Sequence, residues 1–299
     1  MTDIWKKALA EWGMRSWEEV LTPEERMGGP SIWGSSRWAA FKKCPFYYFA
    51  RYIRHIEPRE KSEALEVGGL YHEVRARYNT AAKEGKSSEE SIQAGYDLLN
   101  RTEKIVPAYS SLVRRLFKGW LVHSGPGTVN DSRRDIGGIE VLVEYLEGPF
   151  PYSTRLDLWT YIQNGEAVKI TEIKTASQRS GQLIASYRMD SQFLGQMYLW
   201  KRVLEPQGYP PLKEYMIDLA VKTDPAQYCQ ETAPIDFALL SNWEYEMTQH
   251  WRELQRYERS ARPWPRRRSY HSCHWCELFN FCASNGRNMH GLRIKKDKP

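Results

Sequence analysis

The chain has no run approaching the ~18 uninterrupted apolar residues of a membrane helix, so no bilayer-spanning segment or membrane partner is expected. Its start, MTDIWKKALAEWGM, lacks the apolar core and small-residue cleavage site of a secretion signal. The five cysteines in 299 residues are therefore expected in a reducing, cytoplasmic compartment. There, thiols serve metal or redox chemistry more often than disulfides. No internal repeat and no low-complexity linker is present. A phosphate-binding loop is missing too. Gly85-Lys86-Ser87 has the right ending, but the glycine required five residues before Gly85 is Thr80, and no strand precedes it. Nothing here therefore suggests an ATP-driven motor.

What remains is an ordinary globular composition, 41% apolar and 27% charged, which excludes a disordered or collagen-like chain and allows one large domain or two small ones. The net charge of +6 is unevenly placed. Residues 262–299 hold nine Lys/Arg against two acids, so the first 261 residues are close to neutral. The tail also holds three of the five cysteines.

Periodicity divides the chain. Trp5, Leu9, Trp12 and Trp17 suggest a helical extension over residues 1–34, ending near Gly28-Gly29-Pro30. Residues 35–137 read as helical. One helix starts at Ser35 or Ser36 and is kinked or interrupted at Pro45. Others cover Glu63 to about Ala82, Ser88–Arg101 and Pro107–His123. Residues 138–260 turn strand-like: IEVLVEYL, TRLDLWTYIQ and EAVKITEIKT, then a helix over Asp190–Val203, a strand over Glu214–Val221 and a helix over Ile235–Arg259. Residues 261–299 form the basic cysteine tail. Helices, then antiparallel strands, then mixed elements make an α+β layout.

Asn164-Gly165 is a strong hairpin signal, and a two-residue turn there would set Asp157 directly across from Glu172. Lys174, two residues on, shares the face of Glu172. Opposed carboxylates repel, and a divalent cation is the simplest way to offset them. Such an ion would activate water at phosphorus, with Lys174 orienting that water or offsetting phosphate charge. An ordinary solvated strand face with a Glu–Lys pair is the plain alternative. His72, one helical turn after Gly68-Gly69, can serve as a third ligand, which suits Mn²⁺ as well as Mg²⁺. Gln192, with Tyr198 on the following helix, can contact substrate or the lysine.

Cys273, Cys276 and Cys282 form a C-x2-C-x5-C run, and Cys44 stands alone in KKCPFYYF. Four thiolates suit a structural zinc or an iron–sulfur cluster, although a single C-x2-C pair is not the usual zinc pattern. Cys229 has no near neighbour and reads as a buried bystander.

These features occur in an order that resembles the PD-(D/E)XK nuclease superfamily. Within it they are similar to the RecB/AddB-like branch of CRISPR-associated exonucleases and iron–sulfur phage or bacterial relatives. The matching pieces are Cys44-Pro45 with its following tyrosines, the G-x-x-x-H of Gly68–His72, the R-x-D of Arg155–Asp157, the E-x-K-T of Glu172–Thr175, the helix with Gln192, and the final cysteine run. The resemblance implies a restriction-endonuclease-like core, a mixed central sheet flanked by helices. It implies Mg²⁺ or Mn²⁺ on His72, Asp157 and Glu172, with Lys174 and Gln192 completing the catalytic set. It also implies a [4Fe–4S] cluster on Cys44, Cys273, Cys276 and Cys282. Two positions depart from the pattern. Thr154 replaces a glycine before the aspartate, and Gln196 stands where the helix usually carries tyrosine, with Tyr198 two residues further.

The expected function is a DNA nuclease, an exonuclease rather than an endonuclease, acting on single strands or DNA ends, with a helicase or recombination or integration protein as a further partner. Arg266, Arg267, Arg268, Arg287, Arg293, Lys295, Lys296 and Lys298 would follow the phosphate backbone. Trp264, Tyr270 and Trp275 offer rings for unpaired bases, and Tyr198 is a further contact. The competing expectations are a nuclease-like subunit that binds DNA without cutting it, and a zinc-stabilised nucleic-acid-binding protein.

Overall fold

The computed structural model describes residues 33–59, 62–128, 135–260 and 263–294. The helix expected around Trp5 to Trp17 lies outside them, as do Lys295, Lys296 and Lys298. No helix among the described residues is long and apolar enough to cross a membrane.

Helix α1, Ser35–Lys43, is followed by Cys44 in an extended conformation, and Pro45 opens a second helix, α2, Pro45–Tyr48. Proline thus starts a helix instead of kinking one, because the first helical residue has no intrahelical N–H bond to lose. The break leaves Cys44 between two helix ends. A wide turn over Phe49–Ile53 leads to strand β1, Ile56–Pro58. Helices α3, Glu63–Lys83, α4, Ser88–Glu103, and α5, Pro107–Ser124, then follow closely the expected spans. Helix α4 starts with a capping box: Ser87 Oγ accepts from Glu90 N, and the Glu90 carboxylate takes Ser87 N–H. The apolar stripes of the three helices share a core with Val67, Leu70, Phe117 and Trp120 at its centre, and that core reaches Ile173 and Ala220 of the sheet.

The sheet has five strands: β2, Ile136–Tyr145, β3, Tyr152–Ile162, β4, Ala167–Ala176, β5, Leu212–Val221, and β6, Gln227–Pro234. They lie in sequence order, antiparallel except for the parallel pair β4–β5. A parallel pair needs a long crossover. Here it carries α6, Gly181–Tyr187, and α7, Ser191–Leu199. A further helix, α8, Phe237–Arg259, follows the sheet. Val168, Ile170, Ile217 and Leu219 point into a second core with Trp38, Phe41, Phe193, Trp243 and Met247, on the face opposite Ile173 and Ala220. The result is a mixed sheet with helices on both faces, an α+β fold of restriction-endonuclease-like type. Strand β6 escapes a sequence reading because QYCQETAP is polar. Its pairing with β5 along Val221–Glu214 makes it a strand.

The β3–β4 register is the expected one, with Ile162 opposite Ala167 and Leu158 opposite Thr171. The turn differs. Gln163 to Glu166 separate the strands, and Gln163, Asn164 and Gly165 all have positive φ, at 52°, 56° and 92°. The loop is centred on Asn164-Gly165, so its extra length leaves the register intact.

Gly195 lets α7 lie on the sheet. A Cβ there would stand 2.2 Å from the ring of Tyr152, which is fully buried and hydrogen-bonded to the Ser191 carbonyl. Gly195→Ala is expected to destabilise the protein by about 1–3 kcal/mol, read from denaturant unfolding, because the crowded ring has nowhere to go.

The tail folds back on the first helices. It contains α9, Tyr270–His274, α10, Phe279–Ala283, and β7, Leu292–Ile294. Strand β7 pairs antiparallel with β1, and Leu278 and Leu292 bury against Ala50 and Ile56. Trp264 stacks on Tyr48 and Phe49.

Candidate active site

Strand β3 carries Asp157 just past the last β3–β4 pair. There the ladder opens, and the Asp157 carboxylate accepts the freed Ile173 N–H at 2.8 Å. His72 reaches it from α3, with Nδ1 3.3 Å from Asp157 Oδ1. A third group arrives from β2. Ile139 pairs with Leu158 and Val141 with Leu156, so Glu140 stands across from Asp157. One ligand atom each from His72, Glu140 and Asp157 lies within 4.8 Å of the others. Glu140 is the residue that pattern reading misses. Alternation groups it with Glu144 on a polar face, yet it has a φ of 49° within the strand and lies next to Arg155, 3.3 Å away. A non-glycine residue seldom adopts such a φ, and the conformation leaves no trace in hydrophobic periodicity.

Glu172 and Lys174 stand on β4 beside this group. Lys174 Nζ donates to Glu172 Oε1 at 2.6 Å and to Gln192 Oε1 at 2.8 Å. Gln192 Nε2 also donates to Glu172 Oε1. The other oxygen, Oε2, accepts from Gln196 Nε2 at 2.6 Å. The expected trio of His72, Asp157 and Glu172 therefore differs from the trio brought together here. Glu172 turns its oxygens toward the lysine and the two glutamines, and Glu140 completes the group around His72. Gln196, one of the two departures from the expected pattern, is fully buried and bonds the Glu172 carboxylate on β4 directly. Asp190 caps α7 by accepting Gln192 N–H at 2.7 Å, which fixes the first turn that presents Gln192.

The electrostatics follow from burying three carboxylates together. Burial pushes Glu140 up, and Asp157 adds to it, reaching about 8 despite His72 and Arg155. Burial lowers His72, but Asp157, Glu140 and Glu172 outweigh it and hold the imidazolium up to about 9. Burial and Asp157 raise Glu172. Burial also opposes ionisation of Asp157, but His72, Lys174 and the Ile173 N–H hold it below the usual carboxylate range. Burial works against the Lys174 charge, and Glu172 and Asp157 restore it and push its pKa higher. Two carboxylates and an imidazole are a donor set that suits Mg²⁺ or Mn²⁺.

Binding such an ion must release the protons kept on His72 and Glu140. Apparent Mn²⁺ affinity is therefore expected to rise with pH between 7 and the His72 value of about 9, and to level off above it. The slope should approach about tenfold per pH unit for each proton released, and Glu140→Gln should remove one proton from it. Calorimetric titrations in buffers of different ionisation enthalpy count those protons directly.

The four candidate cluster cysteines, all free thiols, also converge. Cys44, Cys273, Cys276 and Cys282 line one cavity of about 430 Å³, with Arg266, Arg267 and Arg268 in its wall. Arg267 N–H donates to Cys44 Sγ at 3.4 Å, and its carbonyl accepts from Cys273 Sγ at 3.9 Å. Burial raises the thiols of Cys276 and Cys282. A single tetrahedral zinc, with bonds of about 2.3 Å, would hold its sulfurs about 3.8 Å apart. Among the described residues no three of these sulfurs lie within 4.8 Å of one another. Cys229 is buried on β6 opposite Leu219, away from this group.

Of two expected nucleic-acid contacts, one is a core residue and the other is partly buried against the core. Tyr198 is 1% exposed, stacked on Phe150 and set against Trp243, because helix α7 turns this side of itself into the sheet core. Trp264 is held by Tyr48, Phe49 and Tyr257. Arg266 lies over the Phe46 ring and donates to Asn285, and Arg267 donates to the Lys42 carbonyl.

A mixed five-stranded sheet that brings histidine, carboxylates and a lysine to one strand end defines a nuclease-type fold and site. Residues 33–283 match the PD-(D/E)XK nuclease superfamily, and the chain belongs to it. No curated protein matches the sequence. Among solved structures, the chain is similar to a "Putative exonuclease" from Eubacterium rectale, with 13% identity and a TM-score of 0.48, covering 93% of this chain and 96% of that one. It is also similar to SSO0001, with 17% identity and a TM-score of 0.31, covering 72% and 84%. At these scores the two likenesses carry no argument about activity.

Proposed function

We propose that the chain is a metal-dependent DNA exonuclease of the RecB/AddB-like branch, with a structural [4Fe–4S] cluster on Cys44, Cys273, Cys276 and Cys282. The observation that carries the reading is the meeting of His72, Glu140 and Asp157 beside the Lys174–Glu172–Gln192 cluster. His72, Glu140 and Asp157 would hold Mg²⁺ or Mn²⁺, which when bound supplies Lewis acidity and lowers the pKa of a coordinated water. Lys174 stays charged and donates toward the attacking water or a phosphate oxygen. Glu172 and Gln192 aim Lys174, and Gln196 fixes Glu172. Ile173 N–H keeps Asp157 ionised and in place. DNA, single-stranded or at duplex ends, is the substrate, and a helicase or recombination protein is the partner that delivers it.

The lone C-x2-C pair, joined on one cavity by Cys44 and Cys282, favours a cluster over one zinc. The test is anaerobic purification followed by digestion of single- and double-stranded DNA labelled at either end, with Mg²⁺ or Mn²⁺. Release of short products from one end supports the reading, and Asp157→Ala is the blank. Internal cuts on a circular substrate would make it an endonuclease. Absence of any cleavage by the metal-loaded protein would favour a binding subunit.

A further inference from the structure

We infer that the exposed rings of Tyr270, His274 and Trp275 form a stacking platform for unpaired DNA bases, on the path by which a single strand reaches Gln192. The inference rests on the nuclease reading and adds to it the substrate class and the surface that selects it.

The rings stand out by exposure. Tyr270 is 72% and Trp275 82% exposed, while the lobe they sit on has its own small core of Ala50, Ile56, Leu278 and Leu292 that uses neither. They are ordered among themselves. Tyr270 and His274 are four apart on α9, so they share a face, and their rings stack at 4.8 Å and 22°. Trp275 meets His274 edge-on at 4.6 Å. Ser269 caps the helix by accepting Ser272 N–H, which fixes the turn that carries them. Rings arranged before binding lose little freedom when a base settles on them.

Charge selects the partner. Residues 263–294 contain five arginines and one glutamate, and the exposed Arg268 immediately precedes the capping serine. Exposed rings within a basic surface suit alternating bases and phosphates. A duplex keeps its bases stacked on each other, so only a single strand offers free π-faces.

The platform also connects to the site. Arg267 donates to the Lys42 carbonyl, and Lys42 Nζ donates to Ser191 Oγ at 2.7 Å. Ser191 adjoins Gln192, which holds Lys174 and Glu172. Arg267 and Lys42 thus link the lobe to the first turn of α7 through hydrogen bonds.

The test compares the anaerobically purified full chain with the Tyr270→Ala/Trp275→Ala and Tyr270→Phe/Trp275→Phe variants. Anisotropy of a fluorescein-labelled (dT)20 strand and of a 20-base-pair hairpin-closed duplex is followed in metal-free buffer. The alanine pair is expected to weaken single-strand binding about 10- to 100-fold, while duplex binding moves less than about twofold. The phenylalanine pair keeps a π-face and should retain most single-strand affinity. Unchanged single-strand affinity in the alanine pair, or equal losses on both substrates, would overturn the platform. So would a phenylalanine pair as weak as the alanine pair. Loss of self-association with DNA binding intact would reassign the rings to protein contact. Hydrolysis of bis(4-nitrophenyl) phosphate by the wild-type protein tests the nuclease reading separately, because that small diester needs no stacking surface.

Discussion

Lys174→Ala is expected to lower DNA cleavage by about 10²–10⁴-fold, the range for losing a group that positions or exchanges a proton in the transition state. The expectation follows from where the ammonium sits. Lys174 is held by Glu172 and Gln192 at 2.6 and 2.8 Å, so its donors converge with little freedom left to lose. Removing it leaves Glu172 buried with only the two glutamine amides, and burial already raises that carboxyl. Without the ammonium the Glu172 carboxyl should rise further, so the site loses its cation and holds the carboxylate beside it less firmly ionised. Single-turnover kinetics on an end-labelled strand separates this loss from binding, since anisotropy should change little. Gln192→Ala is expected to cost about 10- to 100-fold, because it orients Lys174 without replacing its charge. Activity retained in Lys174→Ala would remove the lysine from the mechanism.

The sequence made the frame of this site readable, but not all of its members. Asp157, Glu172 and Lys174 could be placed on facing strands because a centred turn sets the register, whatever its length. The helical spans over 63–124 were visible because apolar residues recur at helical spacing and caps mark the ends. Glu140 was hidden because its inward turn depends on a backbone angle of 49°, which alternation cannot encode. Gln196 was visible only as a departure from a pattern. Its bond to Glu172 arises from how closely α7 approaches β3 across Gly195. Tyr198 was misplaced for the same reason, since local spacing does not say which side of α7 meets the sheet. Strands β1, β6 and β7 were missed because they are short or polar and owe their form to their partners. The cysteines were legible as a set, but the strand pair that helps fasten the tail was not.

Cys44→Ser is expected to abolish visible absorbance near 400 nm and to lower the melting temperature by roughly 10 °C. The size of the effect comes from chain length. Cys44 and Cys273 are 229 residues apart, so a shared centre closes about three quarters of the chain into a loop. By analogy with a disulfide across a loop of that length, the constraint on the unfolded chain contributes about 5 kcal/mol. The folded lobe has other attachments to the first helices, namely the β1–β7 ladder, the Ala50–Leu278 core and Trp264 stacked on Tyr48. Loss of the cysteine should therefore loosen the lobe and leave the sheet domain folded, which gives two thermal transitions in place of one. Cys276 and Cys282 report the same event. Burial keeps their thiols protonated in the metal-free chain, and solvent exposure in the variant should make them reactive to a thiol reagent at neutral pH. Cys229→Ser is the control, since that residue lies opposite Leu219 in the sheet, apart from the cavity, and should leave the colour intact. A colourless wild-type protein carrying one zinc per chain would replace the cluster with a single ion.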